Sequence, residues 1–106
     1  MSEPSEPPVP YHVSYAGQAR AELQALADRA RERGLVRELL AALKKLEHIL
    51  RTYPQHGEPL YDLRLASAKA LVLPVPPLVV RYMLHEERRV VIVGAPISLL
   101  RNSGLE

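Results

Sequence analysis

The spacing of apolar residues changes along the chain and predicts a strand followed by two helices. Over residues 11–15 apolar side chains alternate with polar ones, which is typical of a short strand with one face inward. From Ala19 apolar residues recur every three or four positions, which predicts a helix up to Gly34, where glycine can adopt the left-handed cap. A second helix is predicted over residues 35–53, and Pro54 ends it. The short connection makes the pair an antiparallel helical hairpin.

The second half of the chain reads as strands separated by turns. Pro74, Pro76 and Pro77 cannot lie inside a central strand, so they indicate an edge or a turn. Two later segments are rich in β-branched residues and are interpreted as strands buried on both faces, and Gly94 and Pro96 are expected to end the second of them. Strands are predicted over residues 60–65, 78–84 and 89–93, and the apolar segment 69–77 is broken by its prolines. The sequence therefore predicts an α+β fold of order β-α-α-β-β-β, with a two-helix hairpin on a mainly antiparallel sheet of about four strands.

The length of 106 residues allows one small domain. Residues 1–10 contain four prolines among Ser and Glu, which predicts an extended or disordered tail. The domain is expected to span residues 11–100, and residues 101–106 are expected to form a C-terminal tail. No apolar run is long enough for a signal core or a membrane span, and the chain has no Cys, which fits a cytoplasmic protein.

Charge narrows the expected partners. The formal net charge is +2, but three of the twelve acids lie in the tails, which leaves about +5 on the folded part. Such a charge suits an acidic protein or a nucleic acid. The outer face of the second helix carries a basic stripe, for which a solvated surface and a contact with phosphate or an acidic partner both stay open. The stripe consists of Arg37, Lys44, Lys45, His48 and Arg51.

No metal site or cofactor is predicted. None of the four histidines is paired at a spacing typical of metal ligands, and the five glycines are too dispersed for a phosphate-binding loop. Aromatic residues next to a base are the usual stacking sites for single-stranded nucleic acid. Tyr61 with Arg64, and Tyr82 with Arg81, are the only candidates for such a contact, and packing in the sheet is the alternative for both tyrosines.

Four stretches together resemble the RelE/ParE toxin superfamily of bacterial type II toxin–antitoxin systems. They are "YHVSYAGQARAEL", where a strand runs into a helix, "L-x-x-x-P-x-x-G-E-P-L" over residues 50–60, "YDLRL", and "VVRYMLHEERRVVIV" over residues 79–93. The resemblance covers residues 11 to about 100. It implies an antitoxin-like protein partner that wraps the helical hairpin and sheet. RelE-like members are ribosome-dependent mRNA endoribonucleases, whereas ParE-like members inhibit DNA gyrase.

The resemblance also implies where a ribonuclease site would lie, and the sequence departs from that pattern. Bases are expected where this chain has Asp62, Val79 and Leu100. The candidate catalytic residues that remain are Arg64, Arg81, His85 and Arg101. Such groups would activate a ribose hydroxyl and stabilise a charged phosphorane. The acid/base set is incomplete.

Three interpretations follow. The first is a RelE/ParE-like toxin that acts mainly by binding an antitoxin-like partner and has a degenerate ribonuclease site. The second is an active ribosome-dependent mRNA endoribonuclease. The third is a catalytically inactive interaction domain.

Overall fold

The computed structural model describes residues 9–61 and 68–106, with Tyr61 described by its backbone only. Two helices, five strands and one short 3-10 turn make up these residues. In chain order they are β1 (His12–Tyr15), α1 (Gly17–Arg33), α2 (Val36–Thr52), the 3-10 turn (Pro54–His56), β2 (Glu58–Tyr61), β3 (Lys69–Val75), β4 (Leu78–His85) and β5 (Val90–Leu99). None of the described helices is both long and apolar enough to cross a membrane.

The helical hairpin forms where the apolar spacing predicts it. Gly34 ends α1 with φ 70°, the left-handed conformation expected there, and its backbone N–H donates to the carbonyl of Ala30. Arg31 and Arg33 lie in the last turn of α1, where positive charge is favourable beside the helix C-terminus. Helix α2 then begins at Val36 and ends before Pro54.

The predicted α+β fold is confirmed, with one strand more than the expected four. The strand order is β1-β5-β4-β3-β2. Neighbouring strands pair antiparallel, except that β1 pairs parallel with β5. The two helices fill the crossover between β1 and the rest of the sheet. Pro74 lies in β3, two residues beyond Val72, and the pairing of β3 with β2 ends at Val72. The missing N–H of Pro74 therefore costs no described hydrogen bond between β3 and β2.

The helices cover one face of the sheet, which divides β4 and β5 into an inner and an outer face. In β4, Leu78, Val80, Tyr82 and Leu84 are buried, whereas Arg81 between them is exposed. Val91 and Val93 are the buried residues of β5. The prediction that these strands are buried on both faces is therefore wrong. Apolar composition alone does not show which face the helices cover.

Strand β5 extends past Gly94 and Pro96, which were expected to end it. The pairing with β4 shifts register so that Arg81 opposes Gly94 and Val79 opposes Ser98. The residues between form an irregular bend, which accommodates a proline inside a strand. The Glu22 carboxylate of α1 accepts a hydrogen bond of 2.7 Å from the Ile97 backbone N–H. A side chain therefore supplies a partner for a strand group at this bend.

Residues 101–106, expected to be a tail, fold back onto α1. Leu105 is 1% exposed and belongs to the apolar core. Its carbonyl accepts a 2.6 Å hydrogen bond from Arg29, and the Gly104 carbonyl accepts one of 2.8 Å from Arg33. We call residues 101–106 the C-terminal hook, because their contacts hold this end of the described chain against α1.

The charged turn between β4 and β5 ties several elements together. Glu86 accepts a 3.0 Å hydrogen bond from Gln55 and pairs with Lys69 at 2.6 Å. The hydrogen bond from Gln55, and next the bond from Lys69, lower the pKa of Glu86 below its ordinary value. Arg89 stacks over the Tyr11 ring at 4.3 Å from the centroid and donates to the Val9 carbonyl at 2.9 Å. Glu86 thus connects the turn to β3 and to the 3-10 turn, and Arg89 connects it to the segment before β1.

Candidate functional site

An apolar groove lies between the two helices and reaches Tyr15 at the end of β1. Its volume is about 610 Å³. Leu23 of α1 and Leu40 and Leu43 of α2 form its apolar walls, and Lys44 and Arg51 border it. Leu40 is 50% exposed, so its side chain adds apolar surface that is open to a partner. Helix α2 buries Leu39, Ala42, Leu46 and Leu50 against the sheet, and Leu40 falls outside that stripe.

The polar end of the groove is ordered by a hydrogen-bonded pair. The Tyr15 hydroxyl donates to Glu47 Oε2 at 2.7 Å, and Arg51 Nε lies 3.4 Å from Glu47 Oε1. Burial, and next the hydrogen bond to Glu47, raise the pKa of Tyr15. The tyrosine therefore stays protonated at neutral pH and holds the carboxylate against the end of β1. The groove thus combines apolar walls with a fixed polar end.

The basic stripe predicted on α2 is solvent-exposed along its length, but the structure divides it. Lys44 and Arg51 line the groove. Arg37, Lys45 and His48 lie on the exposed surface of the helix outside the lining of the groove. Only the first pair is positioned to meet a molecule that occupies the groove.

The predicted catalytic residues that the structure describes do not come together. Arg81 and His85 both lie on the outer face of β4, but they are four residues apart, which is about 13 Å along a strand. Arg101 follows β5 and lies beside Pro76 and Pro77, at the end of β4 opposite to His85. One phosphodiester spans only a few ångströms, so these three side chains cannot act on it together. Arg64 lies outside the described residues.

Tyr82, predicted as a contact residue, lies on the inner face of the sheet and is 2% exposed. Its hydroxyl donates to the Pro54 carbonyl and accepts a 3.1 Å hydrogen bond from the Gly57 N–H. Burial raises the pKa of Tyr82 to about 12. The predicted contact role is corrected to a structural one, because both hydrogen-bonding functions of the hydroxyl are used in closing the loop before β2. The side chain of Tyr61 lies outside the described part of the chain.

Within residues 9–61 and 68–106, no group of three or more His, Asp or Glu side chains is arranged to hold a metal ion. His12 and His85 each lie one strand away from Val90, on opposite sides of it. Their strands are therefore about 10 Å apart, and no third His, Asp or Glu of the described residues joins them to complete a metal site.

Comparison with known proteins decides the family. The profile of a family described as the ParE toxin of the type II toxin–antitoxin system parDE matches residues 13–94, most of the chain. The chain belongs to the ParE toxin family. A solved structure, the toxin–antitoxin complex RelBE2 from Mycobacterium tuberculosis, resembles it with a TM-score of 0.60 and 22% identity. That match covers 90% of this chain and 97% of the other. No curated protein sequence matches significantly.

The matched region of this ParE-family toxin begins at the second residue of β1, contains both helices and β2 to β4, and ends inside β5. It therefore includes the whole groove. Sequence reasoning did not single out Leu40 or Glu47 as site residues. The leucine pair at 39 and 40 was a sequence signal for the exposed Leu40, because adjacent residues point in different directions and one stripe of a helix cannot bury both. The pairing of Glu47 with Tyr15 joins residues 32 positions apart and has no local signature.

Proposed function

We propose that this ParE-family toxin acts mainly by binding an antitoxin-like protein, and that an amphipathic segment of the antitoxin occupies the groove between α1 and α2. The half-exposed Leu40 in the apolar wall of the groove is the observation that carries the proposal. Amphipathic helices commonly bind by inserting apolar side chains into such grooves. Membership of a toxin family and the likeness to a toxin–antitoxin complex support an antitoxin as the occupant.

The border of the groove indicates the chemistry of the occupant. Lys44 is exposed, with no carboxylate of the described residues within 4.0 Å, and Arg51 contacts Glu47 only at 3.4 Å. An acidic residue beside the apolar anchors of the antitoxin would pair with Lys44 and would speed association. We place both proteins in the cytoplasm.

Leu40→Glu tests the groove directly. We expect at least about a tenfold loss of affinity for the antitoxin encoded beside this chain, because the change puts a charge into an apolar contact. Isothermal titration calorimetry on the purified proteins measures it. Val36→Glu is the matched control, since Val36 is 37% exposed on the same helix and does not line the groove. Equal affinities for both variants, or no complex with the native chain, would refute the proposal.

We further propose that the ribonuclease site is degenerate. The dispersion of Arg81, His85 and Arg101 supports this, because acid, base and phosphate-binding groups must reach the same phosphodiester. Translating ribosomes incubated with the pure protein are expected to show no mRNA cleavage above the level without protein, as measured by primer extension. Cleavage that Arg81→Ala abolishes would instead favour the ribosome-dependent endoribonuclease. The cellular target would then be mRNA and not DNA gyrase.

A further inference from the structure

A second depression lies on the outer face of the sheet, on the side opposite to the helices. Its volume is about 240 Å³, and Arg81 is the charged residue among those that line it. We call it the Arg81 dish; the other lining residues are Leu60, Ala70, Met83, Gly94 and Ala95, together with Tyr82, whose side chain points to the inner face. Small residues leave the guanidinium accessible. A Cβ added at Gly94, the residue opposite Arg81 in β5, would meet no heavy atom within 4 Å.

Within the described parts of the chain, Arg81 has no carboxylate within salt-bridge distance. Among the described residues, Glu58 is an acid two strands away in the register: it opposes Val72, which in turn opposes Arg81. The two residues are two strand spacings, about 10 Å, apart, and their side chains form no ion pair. The planar guanidinium therefore presents donors that match both oxygens of a carboxylate.

The surroundings of the dish distinguish a protein from a nucleic acid. The same outer face continues as an apolar surface of β-branched and Met side chains: Val72, Val79, Met83, Val90 and Ile92. Binding of nucleic acid relies on several cations spaced along the phosphates and on aromatic side chains that stack on bases. Arg81 is the one guanidinium among the described residues of this face, with His85 as the other basic residue of β4. A guanidinium amid apolar side chains is instead typical of a protein-binding hot spot.

We propose that the Arg81 dish binds a segment of a second protein that presents one Asp or Glu between apolar residues. The carboxylate pairs with the Arg81 guanidinium through two parallel hydrogen bonds, and the flanking side chains cover Met83 and Ile92. This site lies across the sheet from the helical groove, so both surfaces can be occupied at once. The inference is independent of the antitoxin proposal.

Peptide display tests it. Random twelve-residue peptides displayed on phage are selected on the full chain and counter-selected on Arg81→Met. The enriched peptides are expected to share one acid flanked by apolar residues. Failure to enrich any consensus, or a consensus without an acid, would overturn the proposal.

The affinity of one selected peptide, labelled with fluorescein, is then measured by anisotropy. Arg81→Met is expected to weaken binding about thirtyfold, as for a hot-spot arginine, and Arg81→Lys is expected to weaken it less. Arg20→Met, an exposed arginine on α1, and Leu40→Glu, in the helical groove, are expected to leave the affinity unchanged. Because Leu40→Glu alters only the groove, its effect separates failure of this site from failure of the antitoxin proposal.

A single-stranded RNA oligomer is the competing probe. The proposal predicts that the RNA does not displace the peptide at 150 mM salt. At this salt concentration the Debye length is roughly 8 Å, so contacts between scattered cations and phosphates are weakened. Two results together would overturn the assignment to a protein partner: the RNA displaces the peptide from the native chain, and the Arg81→Met variant no longer binds the RNA. So would equal loss of peptide affinity in Arg81→Met and Arg20→Met.

Discussion

Leu105→Ala is expected to lower the free energy of unfolding by about 3 kcal/mol, the cost of a cavity left by a fully buried leucine. Leu105 is 1% exposed, although it lies one residue from the end of the sequence. The bonds from Arg29 to its carbonyl and from Arg33 to Gly104 hold the backbone in place, so the space does not close easily. A loss of this size is a large part of the roughly 5–15 kcal/mol that stabilises a typical domain.

Urea denaturation followed by circular dichroism measures the change. Leu100→Ala is the matched control in the same C-terminal region, because Leu100 is 37% exposed and should cost less than about 1 kcal/mol. A loss for Leu105→Ala no larger than the small loss expected for Leu100→Ala would contradict a stabilising role of residues 101–106. Residues 101–106 would then behave as the tail that the sequence predicted.

Gly57→Ala is expected to destabilise the fold by about 3 kcal/mol, at the upper end of the cost of overpacking. A Cβ at position 57 would overlap the Tyr82 hydroxyl, and would lie 3.0 Å from Tyr82 Cζ and 3.1 Å from the Val72 carbonyl oxygen. Tyr82 is buried in the central sheet and Val72 contributes backbone, so neither can move away cheaply. The change would also break the hydrogen bond from the Gly57 N–H to Tyr82.

Thermal and urea unfolding give this cost, and Gly94→Ala is the control. A Cβ at Gly94 meets nothing within 4 Å, so that change should stay within about 0.5 kcal/mol. Tyr82→Phe removes the hydroxyl, and the double variant with Gly57→Ala should lose less than the sum of the single changes, because the two residues share one contact. Additive losses would mean that the overlap with the hydroxyl is not the cause.

The candidate sites were less predictable from sequence than the fold. The sequence identified the basic residues of α2. Their spacing along the helix does not show that Lys44 and Arg51 border a groove while Arg37 lies away from it. Arg81 was identified as a sheet residue for phosphate chemistry. Its distance from His85 follows from their spacing along one strand. Its distance from Arg101 depends on the shifted pairing of β5 with β4, which no local pattern encodes.

Local patterns determined the helices and most strands. The three-to-four residue spacing, Gly34 and Pro54 set the ends of both helices, because each acts on backbone dihedrals within one or two residues. The order of elements and the family resemblance also follow from the chain alone. These features depend on interactions between residues close in sequence.

Tertiary structure decided what depends on contacts between distant residues. The parallel pairing of β1 with β5, the continuation of β5 past Pro96 and the burial of Leu105 all join segments far apart in the chain. The outer face of the sheet was taken as buried because apolar residues fill it, yet two helices cover only one face. Which face they cover, and therefore which apolar side chains stay open to a partner, is set by packing between layers and not by any spacing along the sequence.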